Sequence, residues 1–414
     1  MFSNSKFLQD FIGRGYYSQC TNINFLDQIL TNKKITAYIG FDCTARSLHV
    51  GSLIQIMILR LLQKHNHQPI VLLGGGTTLI GDPSGKDESR QILSNNQIQQ
   101  NLDGIHKTLT KFINFSDDKA IFINNIDWLK NINYLEFLRD IGKHFSINRM
   151  LSFDSVKLRL DREQPLSFLE FNYMILQAYD FYYLHKNHNC ILQIGGSDQW
   201  GNIVNGVELI RRMSCLESSD ETNSAFGLTT PLLTTADGKK MGKTADGAIW
   251  LDEELLSPYE YFQYFRNTHD DDVIKFLKLF TDLSLAQIDE LAKLQGNQIN
   301  SAKEILAFEA TKICHGEINA NQALQKARSI FINKNNQAFD EKIINLPENN
   351  SIKLIDIIFN INATESKSDA KRLISGNAVK INNQNITDLN FSFDKPQEFD
   401  LTIGKKQFYK IFLK

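Results

Sequence analysis

Four stretches of this chain place reactive side chains where they could act together. The first holds His49, in the run Leu48, His49, Val50, Gly51, Ser52. An imidazole at the start of a helix adds a donor to the unpaired N–H groups there, and the combination suits an anion such as a phosphate. Gly51 lets a flat ligand approach the backbone. In the second stretch Asp82 stands directly before Pro83, after Gly74, Gly75, Gly76 and Gly81. The proline keeps the residue before it extended, and a carboxylate fixed in that way can bind an ammonium group. The third is D-G-K-K-M-G-K-T over 237–244. Lys240 and Lys243 lie three apart in a glycine-flexible segment followed by Thr244, which suits a mobile clamp on phosphates. It is not a P-loop. That motif needs four residues between its first glycine and Gly-Lys-Ser/Thr, and Gly238 is followed by three before Gly242. In the fourth stretch Tyr173, Gln177 and Asp180 fall at i, i+4 and i+7, on one face of a helix. They interrupt the apolar Met174, Ile175 and Leu176, and Gln193, Gly196, Asp198 and Gln199 follow. Buried polar groups need partners, so this cluster points to a polar ligand.

The elements that must hold these residues alternate along the first half. Ile35 to Phe41, Pro69 to Leu73 and Ile191 to Ile194 are short apolar runs, the last two ending in glycines. Leu53 to Leu62 and Asn202 to Met213 carry apolar residues at helical spacing. Strand, turn and helix in repetition predict a parallel sheet with crossover helices, and such sheets bind ligands beyond the carboxyl ends of their strands. From about 250 to 330 helical spacing dominates, as at Phe276, Leu277, Leu279 and Phe280, with Asp270, Asp271 and Asp272 read as a solvated helix N-terminus. An Asn-rich stretch over 331–350 reads as a linker. Beyond it Ser368 to Ile374 is expected to start a helix, and Ala378 to Ile381 and the residues from Ile386 onward to form strands.

Composition narrows the class. With 414 residues, 42% hydrophobic and 22% charged, the chain has apolar mass for two to four domains. That excludes a disordered tail, a collagen-like chain and a disulfide-stapled mini-domain. The formal net charge of -2 argues against a wholly electrostatic nucleic-acid binder but allows a local basic patch. The last 64 residues carry ten Lys or Arg against seven Asp or Glu, and this small module is a candidate RNA binder. Cys20, Cys43, Cys190, Cys215 and Cys314 are widely spaced and odd in number. They read as reduced thiols rather than zinc ligands. No run of 18 apolar residues suggests a membrane span, and Met1 to Gly15 shows neither a signal h-region nor an Arg-rich transit pattern. The expectation is a cytoplasmic protein.

Taken together, five blocks resemble the bacterial-type tyrosyl-tRNA synthetases of class I: Y-I-G-F-D-C-T-A-R-S-L-H-V-G-S from Tyr38, G-G-G-T-T-L-I-G-D-P-S-G-K from Gly74, F-N-Y-M-I-L-Q-A-Y-D from Phe171, Q-I-G-G-S-D-Q-W-G-N from Gln193, and K-M-G-K-T from Lys240. The resemblance covers nearly the whole chain. It implies a doubly wound, Rossmann-like α/β catalytic domain with a dimer-interface insertion over 1–228, the signature loop and a helical domain over 229–330, and an S4-like RNA-binding module over 351–414. His49, Val50, Gly51 and Ser52 resemble the first signature, His-Ile-Gly-His, with Ser52 departing at the fourth position. The resemblance implies that Thr44, His49, Lys240, Lys243 and Thr244 act on the triphosphate, with Gly242 replacing the serine of the commoner second signature. It implies ATP contacts at Gly40, Asp42, His49, Gly51, Gly196, Asp198 and Lys243. Tyr38 and Asp180 would meet a phenolic hydroxyl, Asp82, Tyr173 and Gln177 an amino group, and Gln193 and Gln199 the carboxylate end. Lys371 and Arg372 are the expected RNA contacts. The substrates implied are L-tyrosine, ATP with Mg2+ and tRNA(Tyr), acted on by a homodimer with no resident metal. Only the apolar stretch from Phe145 to Leu151 speaks for dimerisation in the residues themselves.

Two alternatives stand beside this reading. A tryptophanyl-type synthetase shares the architecture, but an indole offers only a donor, whereas Tyr38 and Asp180 together suit a phenol. A non-catalytic RNA-binding protein on a synthetase scaffold is the other, and the two largely present signature loops speak against it.

Overall fold

The computed structural model describes residues 3–81, 93–217, 224–236, 238, 241, 243–244, 247–335, 340–347, 351–364, 366–382, 384–404 and 407–414. The chain divides into two compact units, Met1–Leu324 and Gln325–Lys414. Among the described residues no helix is long and apolar enough to cross a membrane.

The first unit is built on strands β1 (Gln19–Cys20), β2 (Thr36–Asp42), β3 (Gln68–Gly74), β4 (Ile121–Asn124), β5 (Cys190–Gly196) and β6 (Phe226–Thr230), in the order β1-β6-β5-β2-β3-β4. All neighbours are parallel except β1, which runs antiparallel to β6. β2 and β3 read as nearly continuous apolar runs because both faces of the sheet are covered. β3 and β4 lie on one side of β2, and β5 and β6 on the other. That reversal opens a crevice beyond the carboxyl ends of β2 and β5, where ligands of doubly wound sheets bind. The expected α/β architecture is therefore present.

Helices α1 (Leu53–Lys64), α2 (Asn95–Leu109), α3 (Phe168–His188) and α4 (Trp200–Glu217) follow or cover the strands. Eight of the twelve residues of α1 are buried apolar side chains, so it is a core helix with hardly a polar face. α3 starts at a capping box in which Ser167 and Glu170 satisfy each other's backbone N–H groups. It ends at Asn189, in the left-handed conformation at φ 50°. Phe181 and Leu184 of α3 and Ile210 of α4 pack on Tyr38, Ile70 and Leu72 of the sheet. Between β4 and α3 lie the short helices Tyr134–Asp140, Ile147–Leu151 and Asp154–Asp161. This insertion leaves large apolar side chains in the open, among them Leu135, 75% exposed, and Ile147, 64% exposed.

The helical stretch comprises Pro258–Arg266, α5 (Val273–Phe280), Leu285–Leu291 and α6 (Ile299–Asn335), which breaks at Gly316 with φ 84°. The reading of Asp270 to Asp272 as a solvated N-terminus fails at Asp272. Its carboxylate is buried and accepts from Ala236 N at 2.6 Å, because a backbone N–H carried inward by the preceding loop must find an acceptor.

The second unit has a five-stranded sheet of β9 (Asp340–Ile344), β11 (Val379–Ile381), β12 (Gln384–Asn385), β14 (Gln397–Ile403) and β15 (Gln407–Leu413), in the order β12-β11-β14-β15-β9. The hairpin-like pair β7 (Lys243–Thr244) and β8 (Gly247–Ala248) belongs to the first unit, and β10 (Ile352–Lys353) pairs with β13 (Ser392–Phe393) in the second. Helices α7 (Leu354–Asn360) and α8 (Lys367–Ser375) pack Ile357, Ile358, Ala370 and Ile374 against Val379, Phe399, Leu401 and Ile411. Two expectations change here. The stretch read as a linker contains β9, which runs parallel to β15. The strand expected from Ile386 onward stops at Asn385, because Asp388 turns the chain by accepting from the N–H of Asn390 at 2.9 Å.

Candidate active site

The crevice at the switch point holds a cavity of about 390 Å³. β2 contributes Tyr38, Gly40 and Asp42, and the loop and helix start after it contribute Thr44, His49, Gly51 and Ser52. α3 brings Tyr173, Gln177 and Asp180, and β5 with the turn after it brings Gln193, Gly196, Asp198 and Gln199. One cavity thus gathers thirteen predicted site residues, with Ser52 beside them, from three separate stretches of chain. Asp82 and Lys240 lie outside the described residues. Lys243 and Thr244 form β7, paired with β8, and their side chains are outside the description too.

At the inner end of the cavity Asp180 is 2% exposed. Its two oxygens accept from Asn125 Nδ2 at 2.9 Å and Trp128 Nε1 at 2.8 Å. Burial pushes its carboxyl up to about 7, with the Asp42 charge acting in the same direction and the two hydrogen bonds opposing. Beside it the Tyr38 hydroxyl is buried and has no hydrogen-bond partner among the described residues, and the same holds for Gln193 Oε1. Burial, then the Asp180 charge, keeps the Tyr38 phenol protonated far above its usual range. Buried orphaned polar atoms beside a carboxylate call for a polar ligand group between them.

Further out, Tyr173 Oη donates to Asp42, at 3.2 Å from Oδ1 and 3.3 Å from Oδ2, and Thr77 Oγ1 donates to Oδ1 at 3.2 Å. Asn202 Nδ2 holds Gln177 Oε1 and Gln199 Oε1, each at 2.9 Å. This fixes the amide orientation of both glutamines and leaves Gln177 Oε1 a second lone pair for an ammonium donor.

At the mouth, His49 Nδ1 accepts from Gly51 N at 2.9 Å, so the neutral ring carries its proton on Nε2. The His49 ring stands edge-on to Trp250, with centroids 6.1 Å apart. Val50 N donates to Ile249 O at 2.8 Å and Leu251 N to Leu48 O at 3.0 Å, which ties this loop to the chain after β8. Gly51 is required by the histidine itself: a Cβ there would stand 2.5 Å from His49 Cε1.

Comparison with known proteins decides the family. Residues 30–332 match the profile of tRNA synthetases class I (W and Y), and residues 318–411 match the tyrosine-tRNA ligase SYY-like C-terminal domain. The chain belongs to the tyrosine-tRNA ligase family of class I synthetases. It is 54% identical to the tyrosine-tRNA ligase of Wolbachia sp. subsp. Brugia malayi, covering 100% of both chains. It is 53% identical to that of Rickettsia prowazekii, over 97% of this chain and 98% of the relative. Among solved structures, a C-terminally truncated mitochondrial tyrosyl-tRNA synthetase from Aspergillus nidulans matches with a TM-score of 0.71 and 32% identity, covering 78% of this chain and 94% of that one. A Plasmodium falciparum tryptophanyl-tRNA synthetase matches at 15% identity and a TM-score of 0.54, a likeness of fold alone.

Several residues that line or support this synthetase's cavity escaped the sequence reading. Asn125 and Trp128 follow β4, and Asn125 also receives Gly76 N at 2.7 Å and donates to Thr77 Oγ1 at 3.1 Å. The available signal was the apolar run Ile121 to Ile123 ending in Asn124 and Asn125, a further strand end on the binding side of the sheet. Asn202 lay inside a stretch read only as helix. In the second unit Lys371 and Arg372 sit exposed on α8, with Arg372 paired to Asp369.

Proposed function

We propose that this chain activates L-tyrosine with Mg-ATP and then charges tRNA(Tyr). The tyrosine carboxylate oxygen bonds to the α-phosphorus in line as the bond to the bridging oxygen breaks, giving tyrosyl-adenylate and pyrophosphate. The terminal ribose hydroxyl of the tRNA next takes the acyl group and AMP leaves. The observation that carries this reading is that the Asp180 carboxylate and the buried Tyr38 hydroxyl, which has no partner among the described residues, line the same cavity. A phenol can donate to the first and accept from the second. Tyr173 and Gln177, with Asp82, would hold the amino group, and Gln193 and Gln199 the carboxylate end. His49 and Thr44, joined by Lys240, Lys243 and Thr244, would stabilise charge on the departing pyrophosphate. Gly40, Asp42, Gly51, Gly196 and Asp198 would border ATP. Asp42 has a second duty through its bond to Tyr173.

Exposed Leu135 and Ile147 support a homodimer built on the insertion. Exposed Lys371 and Arg372 on α8 are assigned to tRNA. The five cysteines, all unpaired, suit a reducing, cytoplasmic setting. ATP–pyrophosphate exchange with each amino acid in turn tests the central claim. Exchange should follow L-tyrosine, and stimulation by L-tryptophan in its place would overturn the assignment.

A further inference from the structure

The loop from Cys43 to Leu48 has no regular structure of its own, yet it must place Thr44 and His49 at the cavity. What holds it is α2. Asn101 Nδ2 donates to Cys43 O at 2.8 Å, and Thr108 Oγ1 lies 3.5 Å from Ser47 Oγ. Between them comes Gly104, where a Cβ would stand 2.0 Å from the Arg46 carbonyl oxygen and 3.0 Å from its carbon. Positions 101, 104 and 108 share one helix face. Glycine is disfavoured inside a helix, so its presence needs a reason, and the Arg46 backbone supplies one. α2 is itself anchored by buried Ile98, Leu102, Ile105 and Leu109 on the adjoining face and is capped at Ser94. It is a fixed rail, and the loop rides on it in backbone-to-backbone contact.

We infer that Gly104 and Asn101 are positioning residues for ATP: they set the height of the first signature loop, and through it where Thr44 and His49 meet the triphosphate. Neither residue lines the cavity itself. Gly104→Ala forces the Arg46 backbone or the helix to move by more than about 1 Å, since a carbon and an oxygen need over 3 Å between them. Asn101→Asp keeps the side-chain shape but replaces the donor to Cys43 O by a carboxylate. A displacement of that size at reacting groups lowers rates by roughly 10 to 100-fold.

The inference rests on the proposed ATP role of His49, so the experiment includes His49→Ala. Full-length wild type and the three variants are compared by ATP–pyrophosphate exchange, by equilibrium binding of L-tyrosine without ATP, and by thermal melting. We expect Gly104→Ala and Asn101→Asp each to lower kcat/KM for ATP at least tenfold, with tyrosine Kd within twofold of wild type. A general loss of structure would weaken tyrosine binding in step with ATP use, and that proportional loss would overturn the inference. So would unchanged ATP kinetics in Asn101→Asp, which also serves if Gly104→Ala fails to fold. If His49→Ala leaves ATP kinetics intact, the assignment of the loop to ATP is wrong and the inference falls with it. If His49→Ala is impaired and the α2 variants are not, the inference alone falls.

Discussion

The affinity for L-tyrosine should depend on pH through Asp180, in the absence of ATP. Burial lifts this carboxyl from 3.8 to about 7, against the pull of the Asn125 and Trp128 hydrogen bonds. Its ionised fraction then rises from roughly 10% at pH 6 to roughly 90% at pH 8. A phenol donating its proton to Asp180 needs the carboxylate, so only that fraction binds, and the apparent Kd scales inversely with it. Tyrosine binding should therefore tighten about tenfold from pH 6 to pH 8, some ~1.4 kcal/mol, and then level off. L-phenylalanine, with no hydroxyl to donate, should bind weakly with no such rise. Equilibrium dialysis with labelled amino acid at half-unit pH steps reads both curves. Asp180→Asn should flatten the tyrosine curve. A flat wild-type curve would mean that the neutral acid donates to the phenol instead, and an equal slope in Asp180→Asn would place the titrating group elsewhere. Either result refutes the reasoning.

Further outcomes follow from the same geometry. Between 3.8 and about 7 the folded chain keeps a proton on Asp180 that the unfolded chain has lost, so this group makes stability fall as pH rises through that window. Asp180→Asn should accordingly melt higher than wild type by a larger margin at pH 8 than at pH 5, and an equal margin at both would contradict the shift. Trp128→Phe removes one hydrogen bond to the carboxylate, worth about 1.5–3 kcal/mol, so the midpoint of the tyrosine-binding curve should move to higher pH and affinity at pH 7 should drop roughly 7- to 80-fold; an unmoved midpoint would show that the indole does not stabilise the charge. Reversing both charges on α8, Lys371→Glu with Arg372→Glu, should raise KM for tRNA several-fold and make its salt dependence shallower by about two charges, while pyrophosphate exchange stays at the wild-type rate; unchanged charging would free α8 from RNA contact. Ile147→Asp puts a charge into an exposed apolar stretch of the insertion, and sedimentation equilibrium should show a wild-type dimer and a variant monomer, whereas two identical species would move the interface elsewhere.

What a sequence exposes of such a site depends on whether the physical cause is local. Tyr173, Gln177 and Asp180 could be found because a polar set at helical spacing is anomalous within one apolar helix, and the strand end at Gly196 because glycine breaks an apolar run. Asn125 ended an apolar run that marked a strand end, but its bond to Asp180 across 55 residues, like that of Trp128 across 52, has no local sign. Nothing near Trp128 sets it apart from an ordinary core tryptophan. Asp272 was misread for the same reason: three acids before a helix look solvated until a loop from 36 residues earlier delivers Ala236 N to one of them. Gly104 is the sharpest case. In sequence it is one weak residue in a helix pattern, and its cause is a carbonyl oxygen 58 residues away in chain, at Arg46. A residue defined by what it lacks leaves no signal of its own in a single sequence. Only the neighbour that occupies the missing volume shows why nothing larger fits there, and the first signature loop is that neighbour.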